Sequence, residues 1–321
     1  MDSRHRAFVN FAWLNVGYNL LVILWGAFVR ATGSGAGCGD HWPLCDGQVI
    51  PRSPDAAQLI EFSHRVTSGI ALLLVIALLV WALRLFAAGH PARRAAIAAM
   101  VFMIIESLIG AALVLFQLVA HNASLTRALS LGLHLVNTLL LIGSIALTAW
   151  YASGKPAPEL RGKGRLLAML IAALVGTAIV GSSGAVTALG DTLLQLGVLP
   201  GGVSQPINRD SHPLVLMRII HPVLGTLVGL AMISLAQQAI RYDPSPTTRR
   251  LAWITATIFV GQIFLGALNV ILKAPVWMQL VHLLFADLAW LALVLLGATL
   301  LGRPGTVVVT QSPVISSSPA R

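Results

Sequence analysis

Apolar residues in this chain run on for whole stretches rather than alternating with polar ones. Eight stretches, near 13–32, 62–86, 95–117, 128–151, 166–187, 215–240, 251–272 and 278–301, are almost free of charge. Each is about the 20 residues that a helix needs to cross a bilayer. The breaks between them are polar or carry Gly and Pro, as in Gly89-His90-Pro91, Ser153-Gly154-Lys155-Pro156 and Tyr242-Asp243-Pro244-Ser245-Pro246. Barrel strands would alternate over about ten positions, and these runs do not. The pattern predicts an all-α integral membrane protein with eight transmembrane helices. The first run leads into a polar loop without a small-residue cleavage pattern, so it reads as a span and not a removable signal.

Composition strengthens that reading. Hydrophobic residues make up 57% of the 321 and charged ones 10%, where a soluble domain carries roughly 25% charged residues. A cytosolic enzyme, a nucleic-acid binder and a disordered chain are excluded. The formal charge of +10 has a topological sense. Eight spans put both termini on one side, together with Arg4, Arg6, Arg84, Arg93, Arg94, Lys155, Arg161, Lys163, Arg165, Arg241, Arg249, Arg250, Arg303 and Arg321. By the positive-inside rule that side is cytoplasmic. Residues 303–321 lack amphipathic period and are expected to form a disordered tail. Two long outer loops follow, about 33–61 and 188–214. Cys38 and Cys45 both lie in the first, on an oxidising face where they can form a disulfide, either as a loop staple or with a redox role.

The chain also repeats itself. Gly26-Ala-Phe-Val-Arg-Ala-Thr32 is echoed by Gly181-Ser-Ser-Gly-Ala-Val-Thr187, and His64-Arg-Val-Thr-Ser-Gly by His221-Pro-Val-Leu-Gly-Thr. Glu106-Ser-Leu-Ile-Gly-Ala-Ala-Leu-Val returns as Gln262-Ile-Phe-Leu-Gly-Ala-Leu-Asn-Val, and His134 pairs with His282. The offsets are 155, 157, 156 and 148 residues. Four spans per half keep the orientation, so the repeat is parallel. Two pseudo-symmetric four-helix bundles are expected, residues 1–152 and 153–302.

Four of the nine histidines, His64, His134, His221 and His282, fall a few residues inside spans two, four, six and eight. Those spans run the same way, so the four imidazoles share one depth near the outer face. Helices two and four of an up-down bundle are diagonal neighbours. Two imidazoles facing across that diagonal can ligate one iron with a flat macrocycle between them, which points to a bis-His haem in each half. A single intramembrane histidine is as readily a hydrogen-bonded packing residue, but four at matched depth, paired within halves, favour ligation. Zinc prefers tetrahedral sites of nitrogen and sulfur, and the only thiols lie outside the spans.

The halves differ beside these ligands. Glu61-Phe62-Ser63-His64 places a carboxylate and an imidazole on one helix face; the matching run is Arg218-Ile219-Ile220-His221. An arginine suits a haem propionate or structural anchoring. Glu61 suits a proton acceptor or a stabiliser of positive charge developing on a substrate, against the plainer role of an acid near a helix N-terminus. Arg65 reads as a propionate anchor or a snorkelling interface residue. The first half is expected to do chemistry and the second to hold a permanent cofactor. Glu106 and Asp287, inside spans three and eight, stand as proton-path or packing groups, and Gly110 and Gly266 as points of close helix approach.

Taken together, Gly26-x-x-Val29-Arg30-x-Thr32-Gly33-Ser34-Gly35, the Cys38/Cys45 pair with Trp42-Pro43, Glu61-x-x-His64-Arg65 and the single histidines of spans four, six and eight resemble the haem A synthase family. The resemblance covers nearly the whole chain. It implies oxidation of a ring methyl of haem O to a formyl group, by successive hydroxylations, giving haem A for terminal oxidases. It implies haem O between His64 and His134 with Glu61 as the catalytic carboxylate, and haem b between His221 and His282. It implies a disulfide of Cys38 and Cys45 taking part in activity or haem handling. The setting it implies is a bacterial plasma membrane, with haem O synthase, oxidase assembly factors or further copies of the chain as partners. The chain departs from the usual pattern at Glu106, where a glutamine like Gln262 is expected, and the second half has no arginine matching Arg30. A rival reading is a di-haem b-type electron-transfer subunit without substrate chemistry. A transporter is disfavoured, because it would carry broken polar helices at the midplane.

Overall fold

A computed structural model describes residues 2–202, 207 and 211–302; the expected tail at 303–321 lies outside the described residues. Eight α-helices follow in order: α1 (Ser3–Ala31), α2 (Ala56–Leu85), α3 (Pro91–Leu115), α4 (Leu125–Ala152), α5 (Gly164–Gln195), α6 (Pro213–Tyr242), α7 (Pro246–Ile271) and α8 (Val276–Leu301). All eight are long and apolar enough to cross a membrane, and no β-strand forms among the described residues. The protein is an all-α, multi-pass membrane protein.

Local chemistry sets the helix starts. The side chains of Asp2, Asp55, Ser124 and Ser245 accept hydrogen bonds from the backbone N–H groups of His5, Gln58, Arg127 and Thr248, which satisfies donors that the first turn leaves over. The Nδ1 atoms of His90 and His212 do the same ahead of Pro91 and Pro213. Pro at the first helical position costs nothing, because its missing N–H has no partner there anyway.

Two boundaries differ most from the hydropathy pattern. Capped by Asp2, α1 starts ten residues before the first apolar run. At the other end of the pattern, α5 continues through 188–195, which was expected to be loop, and leaves 196–212 as the second connection. Leu189, Leu193 and Leu194 are buried there, so packing against protein extends the helix past its lipid-facing length.

The helices close into two rings, α1–α2–α3–α4 and α5–α6–α7–α8. Within each ring consecutive helices pack on each other and the fourth returns to the first, which leaves α2 opposite α4 and α6 opposite α8. The rings join along a seam of α1, α4, α5 and α8. Accordingly α4 and α8 have 61% and 56% of their most apolar stretch buried, against at most 33% elsewhere. Close approach at the seam uses small residues, as membrane helices must when burial from water gives no driving force. Gly132 of α4 lies against Ser182 of α5, and a Cβ at Gly143 would stand 3.1 Å from Trp290 Nε1. The same indole donates a 2.6 Å hydrogen bond to the Leu139 carbonyl, tying α8 to α4.

Candidate functional site

The four histidines stand eight, nine, eight and six residues past the first residue of α2, α4, α6 and α8. At about 1.5 Å per residue they occupy one layer near the end that carries the disulfide loop. Each is half-buried. Glycines make room for three of them. A Cβ on Gly26 would lie 2.9 Å from His64 Cε1, one on Gly184 would lie 2.9 Å from His221 Cε1, and one on Gly266 would lie 3.3 Å from His282 Cε1.

These contacts correct the first echo read in the sequence. Gly26 corresponds to Gly184, at an offset of 158, and not to Gly181; the shared feature is a missing methyl under an imidazole. They also correct Gly110, where an added Cβ would meet nothing within 4 Å. Gly266 serves close approach, and what it approaches is His282.

The geometry of the second ring suits a haem held between two imidazoles. The centroids of His221 and His282 lie 6.3 Å apart with their planes at 88°. A metal–imidazole bond of about 2 Å on each side, plus about 1 Å to each ring centre, spans about 6 Å. The Nδ1 atoms of His64, His134 and His282 are buried without a hydrogen-bond partner, whereas His221 Nδ1 lies 3.0 Å from Ser183 Oγ. Among the described residues no group of three or more His, Cys, Asp or Glu is placed to hold a bare metal ion. Two donors per ring are enough only if the group brings its own equatorial nitrogens, as haem does.

Glu61 is buried, and both of its carboxylate oxygens are engaged. Oε1 takes two hydrogen bonds from Arg65, from Nε at 3.1 Å and Nη2 at 2.5 Å, and Oε2 accepts the Cys38 N–H at 2.9 Å. Arg65 Nη1 also donates to the carbonyls of His41 and Leu44, both at 2.6 Å. Four of the five guanidinium donors are thereby spent on Glu61 and the loop. Cys38 and Cys45 form a disulfide within that loop. The carboxylate, the guanidinium and the loop make one unit built on the face of α2 that carries His64.

In the second ring Arg218 lies 3.0 Å, Nε to Oδ1, from Asp191 on the extension of α5. Arg30, near the end of α1, crosses the seam. Its Nη1 donates to the Ala188 carbonyl at 2.6 Å and to Thr192 Oγ1 at 2.7 Å, and its Nη2 donates to Gln279 Oε1 at 2.8 Å. Glu106 of α3 is bound by Asn137 Nδ2 at 2.6 Å and Thr138 Oγ1 at 2.5 Å, with Oε2 3.6 Å from His134 Nδ1. Its counterpart Gln262 donates instead to the His282 carbonyl at 3.1 Å. Asp287 is fully buried, and neither carboxylate oxygen has a hydrogen-bond partner.

Gly184, Asp191, Thr192 and Gln279 were not singled out in the sequence. The signal for Asp191 is a lone acid in an otherwise uncharged stretch, which hydropathy alone places in a loop. A cavity of about 650 Å³ lined by Asp2, His5, Phe86, His90 and Tyr151 lies at the opposite end of the helices from the histidines.

The chain is also similar to known proteins. Residues 9–294 match the model of a family described as cytochrome oxidase assembly protein. A Thermus thermophilus protein named Protoheme IX farnesyltransferase is 48% identical over 293 residues, covering 91% of this chain. The chain spans about half of that relative's length, 48%. A Heme A synthase of Exiguobacterium sibiricum is 31% identical over 283 residues, covering 86% of this chain and 87% of that protein. One of Halalkalibacterium halodurans is 30% identical over 310 residues, covering 91% and 98%. With the matched region running through both helix rings and all four histidines, this chain belongs to the haem A synthase family of cytochrome oxidase assembly proteins.

Proposed function

We propose that the chain oxidises a ring methyl of haem O to the formyl group of haem A. The observation that carries this reading is the pair of histidine sets, one per ring, at one depth, with a carboxylate three residues before the ligand on the histidine-bearing helix in the first ring, where the second has Arg218. His64 and His134 hold the substrate, haem O, and His221 and His282 hold haem b. Haem b, when bound, supplies one-electron transfer. Glu61 carries its carboxylate, ion-paired to Arg65, on the α2 face that bears the substrate ligand His64. Because Arg65 and the Cys38 N–H hold both oxygens, it stabilises positive charge developing at the reacting carbon without having to reorganise. Arg65 and Arg218, each kept in place by its carboxylate partner, would be the residues that hold haem propionates.

The farnesyl transfer named for the Thermus thermophilus protein is assigned to the portion of it that this chain does not match. The matches to the Heme A synthases of Exiguobacterium sibiricum and Halalkalibacterium halodurans cover 87% and 98% of those proteins' own length, which supports reading the matched half as the haem-oxidising one. Residues 1–152 form the substrate half and 153–302 the haem b half. We place the chain in a bacterial plasma membrane with both termini cytoplasmic and the histidine layer outward. A haem O synthase and oxidase assembly factors are its partners, and self-association into a homo-oligomer belongs to the same reading.

The test supplies haem O to membranes containing the wild-type chain or Glu61→Ala, then extracts the haems and identifies them by mass spectrometry. Haem A from the wild type, and a loss of at least about 100-fold in the variant, is the expected result. Normal haem A from Glu61→Ala overturns the catalytic carboxylate. Two permanently held haems with no conversion in the wild type replace the enzyme with a di-haem electron-transfer subunit.

A further inference from the structure

Arg30 belongs to the first ring by sequence and to the second by its bonds. Each of its arms ends about one helical turn from a contact of the histidine layer. On α1, Gly26, against which His64 packs, lies four residues before Arg30. Ala188, whose carbonyl accepts from Nη1, lies four residues after Gly184, against which His221 packs. Gln279, which accepts from Nη2, lies three residues before His282. Under the corrected register of 158 residues, Ala188 is itself the counterpart of Arg30. The guanidinium therefore reaches across the seam to the place its own equivalent would occupy.

Such a contact does more than hold helices together. A guanidinium binds through a planar fork in fixed directions, so its three acceptors must keep their mutual positions to be satisfied. Apolar packing would tolerate sliding. A half-buried charge bound to neutral acceptors also costs desolvation, which favours a role in setting register over one in adding stability. We propose that Arg30 is the positioning residue that fixes the two histidine-pair sites relative to each other, and that electron passage between the halves depends on it. The inference rests on the reading that each half holds a haem. It adds the element that sets the separation and orientation between the two irons.

The test uses the purified full chain loaded with haem. Arg30→Gln removes the fork, Arg30→Lys keeps the charge on a single ammonium, and Gln279→Leu removes only the α8 arm. Trp290→Phe, which loses a cross-seam bond at another depth, controls for plain weakening of the seam. Haem content per chain, the iron–iron separation by pulsed electron paramagnetic resonance, and the rate of electron equilibration between the two irons are measured. Arg30→Gln and Gln279→Leu are expected to keep both haems, to broaden the separation, and to slow equilibration per loaded chain by about tenfold or more. Arg30→Lys recovers part of the rate, and Trp290→Phe lowers thermal stability with the rate unchanged. Wild-type separation and rate in both Arg30→Gln and Gln279→Leu overturn the proposal. Gln279→Leu decides alone if Arg30→Gln fails to fold. A wild-type chain that holds fewer than two haems overturns the underlying reading instead, and shows this in the haem count before any rate is measured.

Discussion

Two imidazoles of this protein rest on bare backbone, and a single methyl group would dislodge either. At Gly26 or Gly184 an added Cβ would stand 2.9 Å from a ring carbon, and overpacking of this kind costs about 1–3 kcal/mol. Gly26→Ala is expected to lower haem retention in the first half, and Gly184→Ala in the second. Gly110→Ala, which meets open space, leaves both unchanged. Pyridine-haemochrome content of the purified variants checks all three, and equal haem in Gly26→Ala and wild type refutes the seat assigned to His64. The histidines themselves were legible because four rare residues repeat at one depth. Their seats were not, since Gly26 meets His64 from 38 residues away and Gly184 meets His221 from 37. Similarly, the Arg65–Glu61 pair is an i, i+4 spacing that a sequence displays, whereas the Arg218 partner, Asp191, is 27 residues distant on another helix.

Among the elements, α5 and the disulfide loop depart furthest from what hydropathy alone describes. A hydropathy window finds the length of helix that faces lipid; it does not find a last pair of turns buried against protein. Asp191→Asn should therefore disturb a helix end and not a loop. It leaves Arg218 beside a neutral amide in a largely buried position, and breaking such a pair costs about 3 kcal/mol. Thermal unfolding of Asp191→Asn, Arg218→Leu and the double variant forms a cycle. Additive losses would show that the two side chains do not interact. The loop poses a different question, since a staple and a redox group are written with the same two cysteines. A staple closing this short loop is worth about 2 kcal/mol. If stapling is its role, Cys38→Ala/Cys45→Ala loses that stability while haem A yield per folded chain is kept. Lost yield at full stability assigns the redox role. Because the Cys38 N–H holds Glu61, partial loss of yield tracking loss of folded protein fits the staple.

For the molecule as a whole, the eight spans and their division into two sets of four followed from run length and repeat. The seam did not, because each helix is apolar all round and no amphipathic stripe marks which side meets protein. Only small residues and stray polar ones hinted at it. Trp290→Phe removes the hydrogen bond to the Leu139 carbonyl, and interhelical bonds of this kind are worth about 0.6–2 kcal/mol in membranes. Gly143→Ala presses on the same indole. The two changes should therefore be non-additive in a thermal-unfolding cycle in detergent, and strict additivity would argue against the contact.

The uneven burial of the helices has a further consequence, for the protein's history. Each ring offers one helix to the seam that is enclosed on most sides, α4 or α8, and others whose flanks meet mainly lipid. On the lipid flanks of α2, α3, α6 and α7, one branched aliphatic residue serves about as well as another, so those faces can drift. Along α4 and α8 a change of volume is felt by helices of both rings at once. Sequences related to this one should diverge fastest on the outside of this molecule and hold steadiest in its middle.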